Sequence, residues 1–168
     1  MSGVVGTNLV AQVGFIVKDI EAAKEKWAQF LGVEVPPTQP AGDYAVTGTV
    51  YKGQPAPEAS CLMAFFDVGP GLQLELIQPN EAPSTWRNYL NEKGEGIHHV
   101  AFQVKDSKEA IARCEAFGLS LEQHGVYGDG SGEYNYMNGE KDLKCIVELL
   151  ESYKKMSLIH ISEPTRLR

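Results

Sequence analysis

The sequence predicts an α+β fold in which two tandem βαβββ modules form one cupped mixed sheet around a central cavity. Three observations predict it. The segment Gln12 to Ala23 (QVGFIVKDIEAA) returns as His99 to Ala110 (HVAFQVKDSKEA), with Val13/Val100, Phe15/Phe102, Val17/Val104, Lys18/Lys105, Asp19/Asp106 and Ala23/Ala110 identical. A second echo follows, in which Leu74 to Gln78 (LELIQ) parallels Val147 to Glu151 (VELLE). The chain has 168 residues and 43% hydrophobic content, enough for one compact domain or two intimately packed small modules.

Taken in order, each repeat begins with alternating apolar and polar residues, the period of a strand with one buried face. Asp19 and Asp106 then stand where a helix needs a side-chain acceptor for its free amides, and Gly32 and Gly118 supply the stop. Tyr44 to Tyr51 and Cys61 to Val68 read as the middle strands of the first module. Ser120 to His124 and Tyr134 to Asn138 read as those of the second, joined by the Gly-rich turn Gly125 to Gly132. Both modules close on the echoed strand. The first carries about 14 extra residues, which the Pro36, Pro37, Pro40, Pro55, Pro57 stretch holds as loops. Pro79 to Gly96 reads as a linker with a short helix, capped by Ser84, carrying Trp86, Tyr89 and Leu90 at helical spacing and ending at Gly94 and Gly96. The expected boundaries are thus 8–79 and 97–153 for the modules and 80–96 for the linker. The run Ser157 to Arg166 (SLIHISEPTR) continues no earlier periodicity and resembles the translated read-through of a sequencing adaptor found in assembled metagenomic DNA. Residues 157–168, His160 included, are therefore set aside as a non-native tail.

Composition narrows the function classes. A net charge of −7 argues against nucleic acid, whose phosphates require a basic footprint, and against an anionic membrane surface. No stretch approaches the ~20 apolar residues of a membrane span, and Met1 to Val10 has no signal-peptide pattern, so the expected compartment is the cytoplasm. Cys61, Cys114 and Cys145 are scattered and form no CxxC pair, which speaks against a disulfide framework or a thiolate zinc site.

Strand alternation singles out four polar residues. The sets Val13/Phe15/Val17, Leu72/Leu74/Leu76, Val100/Phe102/Val104 and Cys145/Val147/Leu149 are expected to pack under the helices. The opposite face then carries Gln12, Glu75, His99 and Glu148, two repeat-related pairs that a pseudo-twofold axis would bring to one point. Two buried carboxylates repel and lose their hydration, and a cation is the simplest compensation. An imidazole, two carboxylates and an amide oxygen form a sulfur-free donor set for one divalent ion, whether Zn, Co, Mn, Ni or Mg. Alternation sends His98 to the other face as a structural or hydrogen-bonding histidine. The second ring nitrogen of His99 is expected to have a hydrogen-bonding partner that the sequence does not identify.

The doubled βαβββ pattern, the phrases QVGFIVKDIEAA and GIHHVAFQVKDSKEA, and the strands LELIQP and IVELLE resemble the vicinal oxygen chelate superfamily (glyoxalase, bleomycin resistance and extradiol dioxygenase proteins) over roughly Leu9 to Glu151. GEGIHHVAFQVKD after a short helix, with ELIQP, looks most like the methylmalonyl-CoA epimerase-like branch. The resemblance implies a glyoxalase-like fold with Gln12, Glu75, His99 and Glu148 as metal ligands. It implies an isomerase or epimerase that stabilises the enolate of a small acid or acyl-thioester, with Glu148 as first base and Glu58 as a base for the opposite face. That branch usually has His at the position of Gln12 and a Glu ahead of the third strand, where this chain reads GQPAPEASCLMAF. A glyoxalase I-like lactoylglutathione lyase, which shares the Gln, Glu, His, Glu order, and a non-catalytic ligand-binding protein of the same fold are the alternatives. Relatives commonly dimerise, and an exposed sheet edge fits a homodimer.

Overall fold

The computed structural model describes residues 3–153; the tail set aside above lies outside them. The elements are β1 (Val10–Ile16), α1 (Ile20–Leu31), β2 (Gln39–Pro40), α2 (Tyr44–Thr47), β3 (Val50–Tyr51), β4 (Gln54–Pro55), β5 (Cys61–Gly69), β6 (Leu72–Pro79), α3 (Thr85–Lys93), β7 (Gly96–Gln103), α4 (Ser107–Phe117), β8 (Ser120–Val126), β9 (Gly132–Asn138) and β10 (Ile146–Ser152). All strands join one curled sheet in the order β2-β5-β6-β1-β7-β10-β9-β8-β3-β4. The two repeat strands β1 and β7 lie antiparallel at its centre, and each has its own closing strand alongside in parallel, β6 beside β1 and β10 beside β7. That arrangement is the pseudo-twofold axis the repeat foreshadows.

The helix boundaries follow local chemistry. Asp19 accepts from the Ala22 amide at 3.0 Å and Asp106 from the Glu109 amide at 2.9 Å, while Gly32 and Gly118 end their helices in the left-handed region. α1 covers Val17, Ala64, Phe66 and Leu76, with Phe15 and Leu74 at the margin. α4 covers Val104, Met137, Val147 and Leu149, with Phe102 at the margin. These residues include Phe15, Val17, Leu74, Leu76, Phe102, Val104, Val147 and Leu149 of the set that alternation assigns to the helix side, whereas Val13, Leu72, Val100 and Cys145 are half-buried and lie outside these clusters. α3, capped by Ser84 on the Arg87 amide at 3.0 Å, closes one end of the opposite, concave face, where Trp86 packs with Ile16, Cys61, Ile77, Tyr136 and Ile146.

The expected strand Tyr44 to Tyr51 is not continuous. Tyr44–Thr47 forms a single helical turn stopped by Gly48 at φ 52°, because the left-handed glycine breaks any extended run there. Only Val50–Tyr51 is extended, and it pairs with β8 of the other module, Val50 opposite His124 and Tyr51 opposite Gln123. The vacated place beside β5 is taken by Gln39–Pro40, a two-residue edge strand within the Pro-rich stretch. No helix among the described residues is long and apolar enough to cross a membrane.

Candidate metal centre

Two cross-strand rows at the centre of the sheet set out the site. In one, Glu75 stands opposite Gly14, which stands opposite His99; in the other, Glu148 stands opposite Ala101, which stands opposite Gln12. Each row is a carboxylate, a small residue and a nitrogen-bearing side chain, and the axis exchanges the rows. The small middle residues leave room for the flanking side chains to lean inward. At Gly14 the room is essential, since a β-carbon there would stand 1.9 Å from His99 Cε1.

The four side chains converge as the alternation pattern predicts. His99 Nε2 lies 3.2 Å from Glu75 Oε2 and 3.1 Å from Glu148 Oε2. One end of the Gln12 amide lies 3.4 Å from the same nitrogen and 3.1 and 3.2 Å from the Glu75 and Glu148 oxygens. With its nitrogen there, the amide donates to both carboxylates; with its oxygen there, it completes a donor set around a cation. The ligand atoms of Glu75, His99 and Glu148 lie within 4.8 Å of one another, and all four residues are buried, His99 completely.

The electrostatics fit a dication. Burial raises the Glu75 carboxyl above its ordinary range, hydrogen bonding to and the charge of His99 oppose that rise, and the Glu148 charge adds to it. Burial alone would push His99 down, but the Glu148 charge and hydrogen bonds to Glu148 and Glu75 outweigh it and lift the imidazole to about 10. The two acids thus demand positive charge between them, from a protonated His99 or from a bound ion. A nitrogen, two carboxylate oxygens and an amide oxygen suit a borderline or hard divalent ion, and the donor set does not select among them.

The cluster forms part of the wall of a cavity of about 700 Å³. Phe65, Trp86, Tyr127, Tyr134 and Tyr136 give it an aromatic lining, and Asp129 stands in the loop between β8 and β9. Trp86 Nε1 donates to the Tyr136 hydroxyl at 3.0 Å, and the Tyr136 ring lies 5.2 Å from that of His99. Alternation predicts the shared face of Tyr134 and Tyr136. Tyr127 and Asp129 carry no periodic signal, because they lie in a turn. Glu58 is exposed, its carbonyl accepts from Asn80 Nδ2 at 2.7 Å, and it is not among the residues lining the cavity. The expected pairing of Glu58 with the site is therefore not seen. It lies in the turn after Gln54–Pro55, exposed to solvent.

His98 departs from strict alternation. β1 and β7 pair Gly14 with His99 but Phe15 with Ile97, so His98 is an extra residue bulged out of register. The bulge turns His98 and His99 to the same side, both rings about 5 Å from Tyr136. His98 Nδ1 lies 3.1 Å from His99 Nδ1, and His98 Nε2 lies 3.1 Å from Thr85 Oγ1. The unnamed partner of His99 is its own neighbour.

Comparisons with known proteins agree with this architecture. Residues 11–136 match the family model of the Glyoxalase/Bleomycin resistance protein/Dioxygenase superfamily. Uncharacterized protein YqjC of Bacillus subtilis is 48% identical over 40 residues, 24% of this chain and 28% of that relative. Among solved structures, the methylmalonyl-CoA epimerase of Mycobacterium tuberculosis superposes with a TM-score of 0.60 at 22% identity, over 86% of this chain and 88% of that one. A variant of the Streptomyces coelicolor methylmalonyl-CoA epimerase in complex with 2-nitronate-propionyl-CoA gives 0.58 at 22% identity, over 86% and 97%. At this identity the two superpositions establish a shared fold. Joined to the family match across three quarters of the sequence, they place this chain in the glyoxalase, bleomycin resistance protein and dioxygenase superfamily.

Proposed function

We propose that the protein is a divalent-metal-dependent isomerase of the epimerase type, which moves a proton at a carbon next to the carbonyl of a small acid or acyl-thioester. The observation that carries this reading is the buried convergence of Glu75, His99 and Glu148 at the wall of an aromatic cavity. Gln12, Glu75, His99 and Glu148 would hold the ion. A bound dication would supply a Lewis acid that lowers the energy of an enolate, an effect of several kcal/mol. The fold likeness to methylmalonyl-CoA epimerases supports an acyl-thioester as the substrate class.

Glu148 serves as the base in this reading. It faces Tyr136 across the strand pair, is nearly fully buried, and belongs to a cluster in which one carboxylate can give up its contact and take a proton. With Glu58 outside the cavity, inversion needs a donor on the opposite face, a role open to the Tyr127 and Tyr134 hydroxyls.

The test is proton exchange in deuterated water with methylmalonyl-CoA as first substrate. Deuterium should enter the α-carbon, the rate should vanish on complete chelation and return with a divalent ion, and Glu148→Gln should lower it roughly 10²–10⁴-fold. Exchange that persists undiminished after chelation, or a purified protein that retains no divalent ion after reconstitution, would overturn the reading.

A further inference from the structure

The axis that pairs Gln12 with His99 and Glu75 with Glu148 also pairs two irregularities. β1 and β7 slip register at Ala11, between the pairs Val10/Phe102 and Gln12/Ala101, and again at His98. Each bulged residue immediately precedes a proposed ligand. Ahead of the amide ligand Gln12 stands Ala11, which has no polar side chain. Ahead of the imidazole ligand His99 stands His98, fully buried and hydrogen-bonded at both ring nitrogens.

The chemistry of the two ligands explains the difference. An amide has one oxygen to offer and needs no partner to select it. An imidazole presents either of two nitrogens, and it binds through Nε2 only if Nδ1 carries the proton and has an acceptor for it. His98 Nδ1, 3.1 Å away, is such an acceptor. Two facing ring nitrogens cannot both be protonated or both be bare and still share a hydrogen bond. Once His99 Nδ1 donates, His98 must hold its own proton on Nε2, which points at Thr85 Oγ1. Thr85 is buried, opens α3, and donates its backbone amide to the side-chain oxygen Oε1 of buried Gln123 at 2.9 Å, which ties the start of α3 to β8.

We propose, building on the metal-dependent reading above, that His98 is a positioning residue which accepts the Nδ1 proton of His99 and thereby fixes the tautomer and ring plane that present Nε2 to the cation. The bulge is the structural device that makes this contact, since regular pairing would send the two rings to opposite faces. The Thr85 hydroxyl, 3.1 Å from His98 Nε2, can accept the proton that this tautomer leaves there.

Histidine-labelled protein loaded with zinc tests this by nitrogen NMR together with zinc titration. Wild type should show Nδ1-protonated His99 with scalar coupling across the bond to His98 Nδ1. Asn at position 98 places its amide oxygen where Nδ1 stood, whereas Gln reaches only the Nε2 position. His98→Asn should therefore keep zinc affinity within about threefold and keep the tautomer. His98→Gln and His98→Phe should lose about 10–100-fold in affinity, with faster exchange of the His99 ring proton. If His98→Phe does not fold, the Asn and Gln pair decides. Equal affinities and unchanged His99 signals in the folded variants would overturn the role of His98 while leaving the metal site standing. A wild type that binds no zinc or other divalent ion would overturn both.

Discussion

The imidazole of His99 rests on Gly14 of the neighbouring strand, closely enough that a β-carbon at Gly14 would overlap the ring at 1.9 Å from Cε1. Gly14→Ala therefore has two ways to relieve the clash, moving the strand or moving the ring. Overpacking of a buried site costs about 1–3 kcal/mol. We expect a stability loss in that range by denaturant titration, with divalent-ion affinity reduced at least tenfold. Unchanged affinity would mean that the ring can shift without loss of the site.

The same cluster predicts how metal-free protein responds to pH. His99 binds its proton more tightly folded than unfolded, with a folded value of about 10 against an ordinary value near 6.5. The stability this lends is complete below about 6.5 and is lost as pH rises through about 10. Glu75, also shifted upward, acts in the same direction at lower pH. Chemical denaturation of the apoprotein should show falling stability between about pH 7 and 10. The apparent affinity for a divalent ion should rise over that interval, as ion and proton compete for Nε2.

Asp19 and Asp106 cap α1 and α4 through equivalent bonds of 3.0 and 2.9 Å. Each change to Ala should cost about 1 kcal/mol. The caps belong to separate helices and share no partner, so the double variant should lose the sum within about 0.5 kcal/mol. Marked non-additivity in urea melts would show that the helices are coupled through the sheet.

Ile20, the first residue of α1, is fully buried against Val17, Ala64, Phe66 and Leu76 on the face of the sheet away from the cavity. Ile20→Ala should cost about 2–5 kcal/mol of stability. Its affinity for a divalent ion, measured well below the melting temperature, should match that of the unchanged protein. This variant separates stability effects from site effects in the comparisons above.

The central features were legible because they obey the period of a strand. Alternation assigned Val17, Leu76, Val104 and Leu149 to the helix side and gathered Gln12, Glu75, His99 and Glu148 on the other, and the repeat supplied the axis relating them. What was not legible depends on slips and turns. A bulge reverses the facing of every residue before it, so no periodic reading could set His98 beside His99. Tyr127 and Asp129 reach the cavity through loop geometry, and Glu58 stays outside for the same reason. Tyr44–Thr47 reads as a strand from its aromatic and branched residues, but Asp43 before it and Gly48 after it frame a helical turn.

The pairing of Val50–Tyr51 with β8 also bears on how the protein is made. As the chain leaves the ribosome, this short strap emerges long before the segment that receives it, some seventy residues later. The amino-terminal half must wait with an open edge until translation delivers residues 123 and 124. A pause or truncation in that interval would leave a nascent chain prone to pair with its neighbours.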